Sequence, residues 1–246
     1  MCHLCDISDA VQPQQPTRRR FLTAAGGIAA GLAFAPSAFA KETKPPPKPQ
    51  NVISPDEALE RLMKGNGRYV EGISRRHDFK HEREALAGGQ NPYASILSCA
   101  DSRIAPEYAF DSGRGDLFVC RVAGNFANDD TVASLEYSVA VLNSPFILVL
   151  GHESCGAVDA TIKSLKDNTT LPGHLPSLVA ALAPAVKAVT DQPGDLLANA
   201  TKRNVIDTIA KLKAATPILS AAVDKGKLKI VGGVYRLRDG KVKMVS

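Results

Sequence analysis

The chain has 246 residues, with 30 Lys and Arg against 25 Asp and Glu, five cysteines and no tryptophan. That length permits one large domain or two small ones. The modest basic excess is spread rather than massed, which argues against nucleic acid as the main partner because phosphate binding needs a concentrated footprint. A small anionic substrate or product is compatible with it.

Thr17-Arg18-Arg19-Arg20-Phe21-Leu22 precedes an Ala/Gly-rich apolar segment from Thr23 to Phe34, then Ala38-Phe39-Ala40. A basic start, a modest apolar stretch and small residues before a cut form a secretory signal. Paired arginines followed by Phe-Leu resemble the twin-arginine class, which carries folded proteins across the bacterial inner membrane. The expectation is cleavage after Ala40, a periplasmic or otherwise exported protein, and membrane contact only through export. An uncleaved anchor is the alternative, though the segment is short and weakly apolar for a span. Cleavage removes three basic and two acidic residues, leaving 27 and 23.

Residues 41–53 include Lys44-Pro45-Pro46-Pro47-Lys48-Pro49, a stiff extended linker with no apolar face to bury. The folded domain is expected over 54–246. Ser54-Pro55-Asp56-Glu57 starts a helix with a cap, a first-turn proline and a capping box. Leu59, Leu62 and Met63 give it an apolar face, and Gly65-Asn66-Gly67 is expected to weaken or end it. A short helix runs from His81 to Leu86, closed by Gly88-Gly89. Tyr93 to Ser98, Leu117 to Val122, Phe146 to Leu150 and Lys229 to Tyr235 read as buried strands. Between the second and third, Val132, Leu135, Val139 and Leu142 recur at helical spacing, so 129–142 is a crossover helix. Strand, helix, strand implies one α/β domain with a central, largely parallel β-sheet flanked by helices.

The stretch from Pro176 to Val189 is Ala/Leu/Val-rich and helical, and a further helix over 195–212 turns Val205, Ile206, Ile209 and Leu212 toward a core. Pro217 to Lys225 is a last short helix ending at Gly226. Asp239-Gly240 signals a reverse turn, so the C-terminus returns as an antiparallel edge strand or reaches onto a partner subunit.

Of the cysteines, Cys2 and Cys5 flank His3-Leu4 upstream of the cut and lack a second half-site. Cys99, in Cys99-Ala100-Asp101-Ser102-Arg103, and Cys155, in His152-Glu153-Ser154-Cys155-Gly156, each follow an apolar strand. Two cysteines and a histidine from two strand ends supply zinc with three ligands and leave a fourth position free, a catalytic set. A Cys99 to Cys155 disulfide is the competing reading, and Cys120 is left as a small core residue. Two thiolates acidify a metal-bound water less than three imidazoles do, so a neighbour must help. Asp101 can orient the water while Arg103 holds the carboxylate; alternatively Asp101 becomes the fourth ligand. Ile104 and Val122 are expected to line a small apolar pocket. His77, His81 and His174 read as surface or helix residues rather than proton relays.

These two motifs resemble the signatures of β-class carbonic anhydrases, Cys-x-Asp-Ser-Arg and His-x-x-Cys-Gly. Gly65-Asn66-Gly67-Arg68-Tyr69, the run from Phe118 to Asn125, and Gly233 to Tyr235 extend the resemblance over roughly 54–245. The resemblance implies one Zn2+ per subunit on Cys99, His152 and Cys155, a catalytic dyad of Asp101 and Arg103, and reversible hydration of carbon dioxide to bicarbonate and a proton by zinc-bound hydroxide. It also implies a homodimer or higher even oligomer. Gln90, nine residues before Cys99, matches the plant-like subtype's substrate-binding glutamine, which sometimes acts across a dimer interface. Ile96 stands where the other subtype has tryptophan, so that subtype's inhibitory bicarbonate pocket is not expected. Rival readings are a zinc hydrolase acting on carbon disulfide or carbonyl sulfide, and a noncatalytic zinc-binding protein. A nucleotide-binding domain fares badly because no Gly-x-Gly-x-x-Gly or phosphate-cradling lysine follows a first strand.

Overall fold

The computed structural model describes residues 51–245, so the signal, its cut and most of the linker lie outside the described residues. The sheet has the order β2-β1-β3-β4-β5. Its strands are β1 (Ala94–Ser98), β2 (Leu117–Arg121), β3 (Phe146–His152), β4 (Lys229–Tyr235) and β5 (Val242–Met244). The first four are parallel, and β5 pairs antiparallel with β4 through Tyr235↔Val242. The expected α/β architecture and the returning edge strand are both present.

Side chains alternate across the central strands, as a pleated sheet requires. Phe146, Leu148 and Leu150 of β3 join one core with Ile96 and with Ala58 and Leu62 of α1 (Pro55–Val70). Ile147 and Val149 join the opposite core, with Leu135 of α4 (Asp129–Ala140) and Val205, Ile209 and Leu212 of α7 (Leu196–Lys213). Being covered on both faces, β1 and β3 are buried throughout, which explains their uninterrupted apolar runs. Ile206, expected in that core, is instead 37% exposed, because α7 turns only one stripe toward the sheet.

The capping box at Ser54 forms as read, with Glu57 closing back on the Ser54 amide. The helix does not end at Gly65-Asn66-Gly67, however; it continues to Val70. Tertiary contacts outweigh the weak helix propensity of glycine here. A Cβ on Gly65 would lie 1.9 Å from the Phe110 carbonyl oxygen. Asn66, 4% exposed, donates to the Ala109 and Gly240 carbonyls and accepts from the Val242 amide. This one turn therefore ties α1 to α3 (Pro106–Ala109) and to the β4–β5 hairpin.

The N-terminal limit also differs slightly. Asn51, within the stretch read as linker, is 2% exposed and bonds Asn91, Asp116 and Arg61. Helix α2 (Phe79–Leu86) starts two residues earlier than read, capped by Asp78. The remaining helices are α5 (Gly156–Lys166), α6 (Leu175–Lys187) and α8 (Ile218–Asp224). Among the described residues no helix is long and apolar enough to cross a membrane.

Candidate metal centre

In the strand order, β1 is flanked by β2 on one side and β3 on the other. The chain thus leaves β1 and β3 in opposite directions, and a crevice opens outside their carboxyl ends. Ser98 pairs with Leu150, which places Cys99 beside the end of β3. His152 is the last residue of β3, paired with Tyr235, rather than a loop residue after it. Ser154 then takes a positive φ of 52°, and Cys155 becomes the N-cap of α5. That strained corner swings the Cys155 sulfur back toward Cys99.

The ligand atoms of Cys99, His152 and Cys155 all lie within 4.8 Å of one another, and all three residues are buried. Both cysteines are free, with sulfurs 3.9 Å apart, so the arrangement is a chelating pair and not the disulfide considered above. His152 Nδ1 lies 2.9 Å from the Glu153 carbonyl, which can only accept. The proton therefore sits on Nδ1, and Nε2 offers its lone pair to the cluster. Nε2 is buried without a hydrogen-bond partner among the described residues. An orphaned imidazole nitrogen between two sulfurs fits zinc, which takes N and S donors. Contact with Cys155 holds the Cys99 thiol down to about 4 against the cost of burial, while the Cys155 thiol is pushed up by sharing its proton with Cys99. Zinc held by these residues would displace that shared proton, because it takes thiolate.

Asp101 and Arg103 stand at the mouth. The Arg103 amide and Nε each donate to Asp101 Oδ1 at 2.9 Å, and Nη2 donates to Oδ2 at 2.6 Å. Nη2 also donates to the Ser154 carbonyl at 3.0 Å, joining the two motif loops. The Arg103 hydrogen bond holds the Asp101 carboxyl well below its ordinary value despite some burial. Asp101 Oδ2 lies 3.8 Å from His152 Nε2, facing the ligand cluster.

Gln90 is not brought to this cluster within the chain. It is exposed and precedes β1, whereas Cys99 follows it. Five residues of strand alone separate them by about 16 Å. Ile104 packs in the α1 core and Val122 against the α7 core. The sulfurs are backed by Val158 of α5 and Leu182 and Val186 of α6. Cys120 is half-buried against the α7 core, as a small packing residue.

Reading the motifs missed Arg121, the last residue of β2. Its guanidinium donates to the carbonyls of Cys99, Asp101 and Ile104 at 2.8 to 3.0 Å. One side chain thus pins three peptides of the loop carrying the first ligand and the dyad. It falls inside the run from Phe118 to Asn125, but no spacing rule points to a carbonyl clamp.

The family profile described as "Carbonic anhydrase" matches residues 94–242. The chain is 40% identical over 189 residues to "Carbonic anhydrase 2" of Mycobacterium tuberculosis, covering 76% of this chain and 91% of that one. It is 35% identical over 194 residues to the carbonic anhydrase of Mycolicibacterium smegmatis, covering 78% and 94%. Among solved structures it resembles the β-carbonic anhydrase CcaA, with a TM-score of 0.59 and 29% identity over 76% of this chain and 95% of that one. A tetrameric β-carbonic anhydrase of Sordaria macrospora shares the fold, with a TM-score of 0.61 at 24% identity over 77% and 98%.

Proposed function

The chain belongs to the β-class carbonic anhydrases, and on that premise we propose how its residues divide the hydration of carbon dioxide. The observation that carries the reading is the buried, unpartnered His152 Nε2 set against two free sulfurs. Zinc held by Cys99, His152 and Cys155 supplies the Lewis acid that makes water nucleophilic near neutral pH.

Asp101 keeps an unshared lone pair on Oδ2 toward the ligand side. It would accept a hydrogen bond from the reacting water and so aim an oxygen lone pair at carbon dioxide. Arg103 holds the carboxylate ionised and in place, since three of its N–H groups bind it. Because Arg103 holds both carboxylate oxygens, Oδ2 included, the geometry favours Asp101 as a hydrogen-bond acceptor over Asp101 as a fourth metal ligand. The proton released leaves past the dyad, which is the exposed side of the site: the Arg103 side chain is 50% exposed while His152 is fully covered.

Gln90 reaches substrate only from a second protomer, because β1 stands between it and its own cluster. The proposed assembly is a homodimer or higher even oligomer. The open edge of β2 supports this, and the Sordaria macrospora protein that shares the fold is itself tetrameric. Gln90, with Ile96 fully buried in the core, also supports the plant-like subtype. Export by the twin-arginine route is supported by Arg18-Arg19-Arg20-Phe21-Leu22 and by the small residues ending at Ala40. Cell fractionation and an N-terminal sequence starting at Lys41 test it.

Stopped-flow hydration of carbon dioxide, with zinc measured in parallel, tests the activity. Cys99→Ser loses both metal and hydration. Full zinc occupancy in the unsubstituted protein with no hydration overturns the reading and moves the assignment to the sulfur-analogue hydrolase or to a noncatalytic zinc protein.

A further inference from the structure

Two thiolates among three ligands donate much charge to a metal, which works against acidifying bound water. The structure offers a compensating contact on one of them. The Gly124 amide donates to Cys99 Sγ at 3.3 Å. A hydrogen bond to a ligating sulfur draws charge back from it, and such contacts tune metal sites.

That amide is built into position. Gly124 has φ of +84°, and a Cβ there would lie 2.8 Å from Leu182 Cδ1, so α6 presses directly on the peptide. On its other side the Gly124 carbonyl accepts from Asn204 Nδ2 at 2.8 Å, a buried contact spanning eighty residues. Asn204 sits on α7, is 4% exposed, and is followed directly by core residue Val205. A buried amide left without a partner is costly, so the bond to Gly124 defines its orientation.

We propose that Asn204 is a positioning residue of the metal centre: it fixes the 123–124 turn so that the Gly124 N–H stays aimed at the Cys99 sulfur. The proposal rests on the zinc reading above. Asn204 touches neither metal nor substrate, and acts through one residue, Gly124, whose carbonyl it holds and whose N–H meets the sulfur of one ligand.

Cobalt(II)-loaded protein tests this, because its sulfur-to-metal charge-transfer band reports the charge on the thiolates. Asn204→Leu fills a similar volume without a donor. Thr208→Ala, equally buried at 4% on the same helix, controls for general loosening of α7. The band moves to lower energy in Asn204→Leu, zinc loss to a chelator speeds up on the order of tenfold, and kcat falls with KM little changed. Thr208→Ala lowers Tm alone. A band and zinc-loss rate in Asn204→Leu that match those of Thr208→Ala overturn the proposal. If Asn204→Leu does not fold, Asn204→Ala is read by the same band, and an unshifted band there overturns it. A wild-type protein that binds cobalt normally but hydrates no carbon dioxide would sink the activity assignment and leave this test intact, since the band reports only sulfur and metal.

Discussion

The loop after β1 and the loop after α3 each set an aspartate against arginine, yet the two carboxylates sit in different settings. Asp111 is 4% exposed at its side chain and accepts from Arg68 Nε, Ser74 Oγ and the Arg75 amide. Burial pushes its pKa up, but those donors hold it below the ordinary value. Its oxygens are spent on neighbours, and it anchors the 74–75 segment to α1 and α3. Asp101 is more exposed, at 17%, and among the described residues takes its donors from Arg103 alone. One of its oxygens still faces a buried ligand cluster. The distinction between an anchor and the proposed working group is thus one of spare hydrogen-bonding capacity and what lies in front of it, not of charge or residue type.

The comparison breaks most easily at the helix under the Asp111 loop. Gly65→Ala drives a methyl into the Phe110 carbonyl, and thermal or urea unfolding is expected to show a loss of about 3 kcal/mol. An unaltered midpoint would mean that α1 and α3 are not in this contact. Next comes the working group. On its proposed role, Asp101→Asn lowers kcat/KM by roughly 10–100-fold while zinc content and Tm stay close to wild type. Asp111→Asn inverts that pattern: full activity per folded zinc site, with stability lower by about 2 kcal/mol.

Acid titration sharpens the same contrast. Because the folded-state pKa of Asp111 is depressed, its contribution to stability is present above the unfolded carboxylate value of about 3.9 and disappears as pH falls toward the folded value. Asp111→Asn should therefore lose less stability than wild type between about pH 5 and about pH 2. Parallel curves would show that Arg68 and Ser74 do not hold the ionised form. The smallest effect is at Gly67, where a Cβ meets nothing within 4 Å. Gly67→Ala should stabilise α1 by up to about 1 kcal/mol, two residues from the position where the same change is among the most damaging.

Much was legible in the residues. β1 and β3 announced themselves because burial on both faces demands unbroken apolar runs, and the β4–β5 return followed from Asp239-Gly240 and the strand residues around it. Metal ligands could be named because thiol and imidazole at two strand ends have few other uses together. Gly65-Asn66-Gly67 misled, since propensity describes an isolated helix and not one whose glycine faces a neighbouring carbonyl. Gln90 was singled out by position alone, and its distance from its own cluster emerges only once β1 has length and direction.

What the sequence determined by itself was chemical: which side chains can bind zinc, which carboxylate lies within reach of an arginine two residues on, and where strands and helices alternate. These are local properties, carried by spacing and residue type. Only the tertiary structure decided the roles of Arg121, Asn204 and Leu182, whose partners lie from 17 to 80 residues away in the chain. An arginine, an asparagine or a leucine has no sequence signature for gripping a distant peptide. It acquires that work when the fold delivers a carbonyl or a bare glycine to it, and here the fold does so around one sulfur.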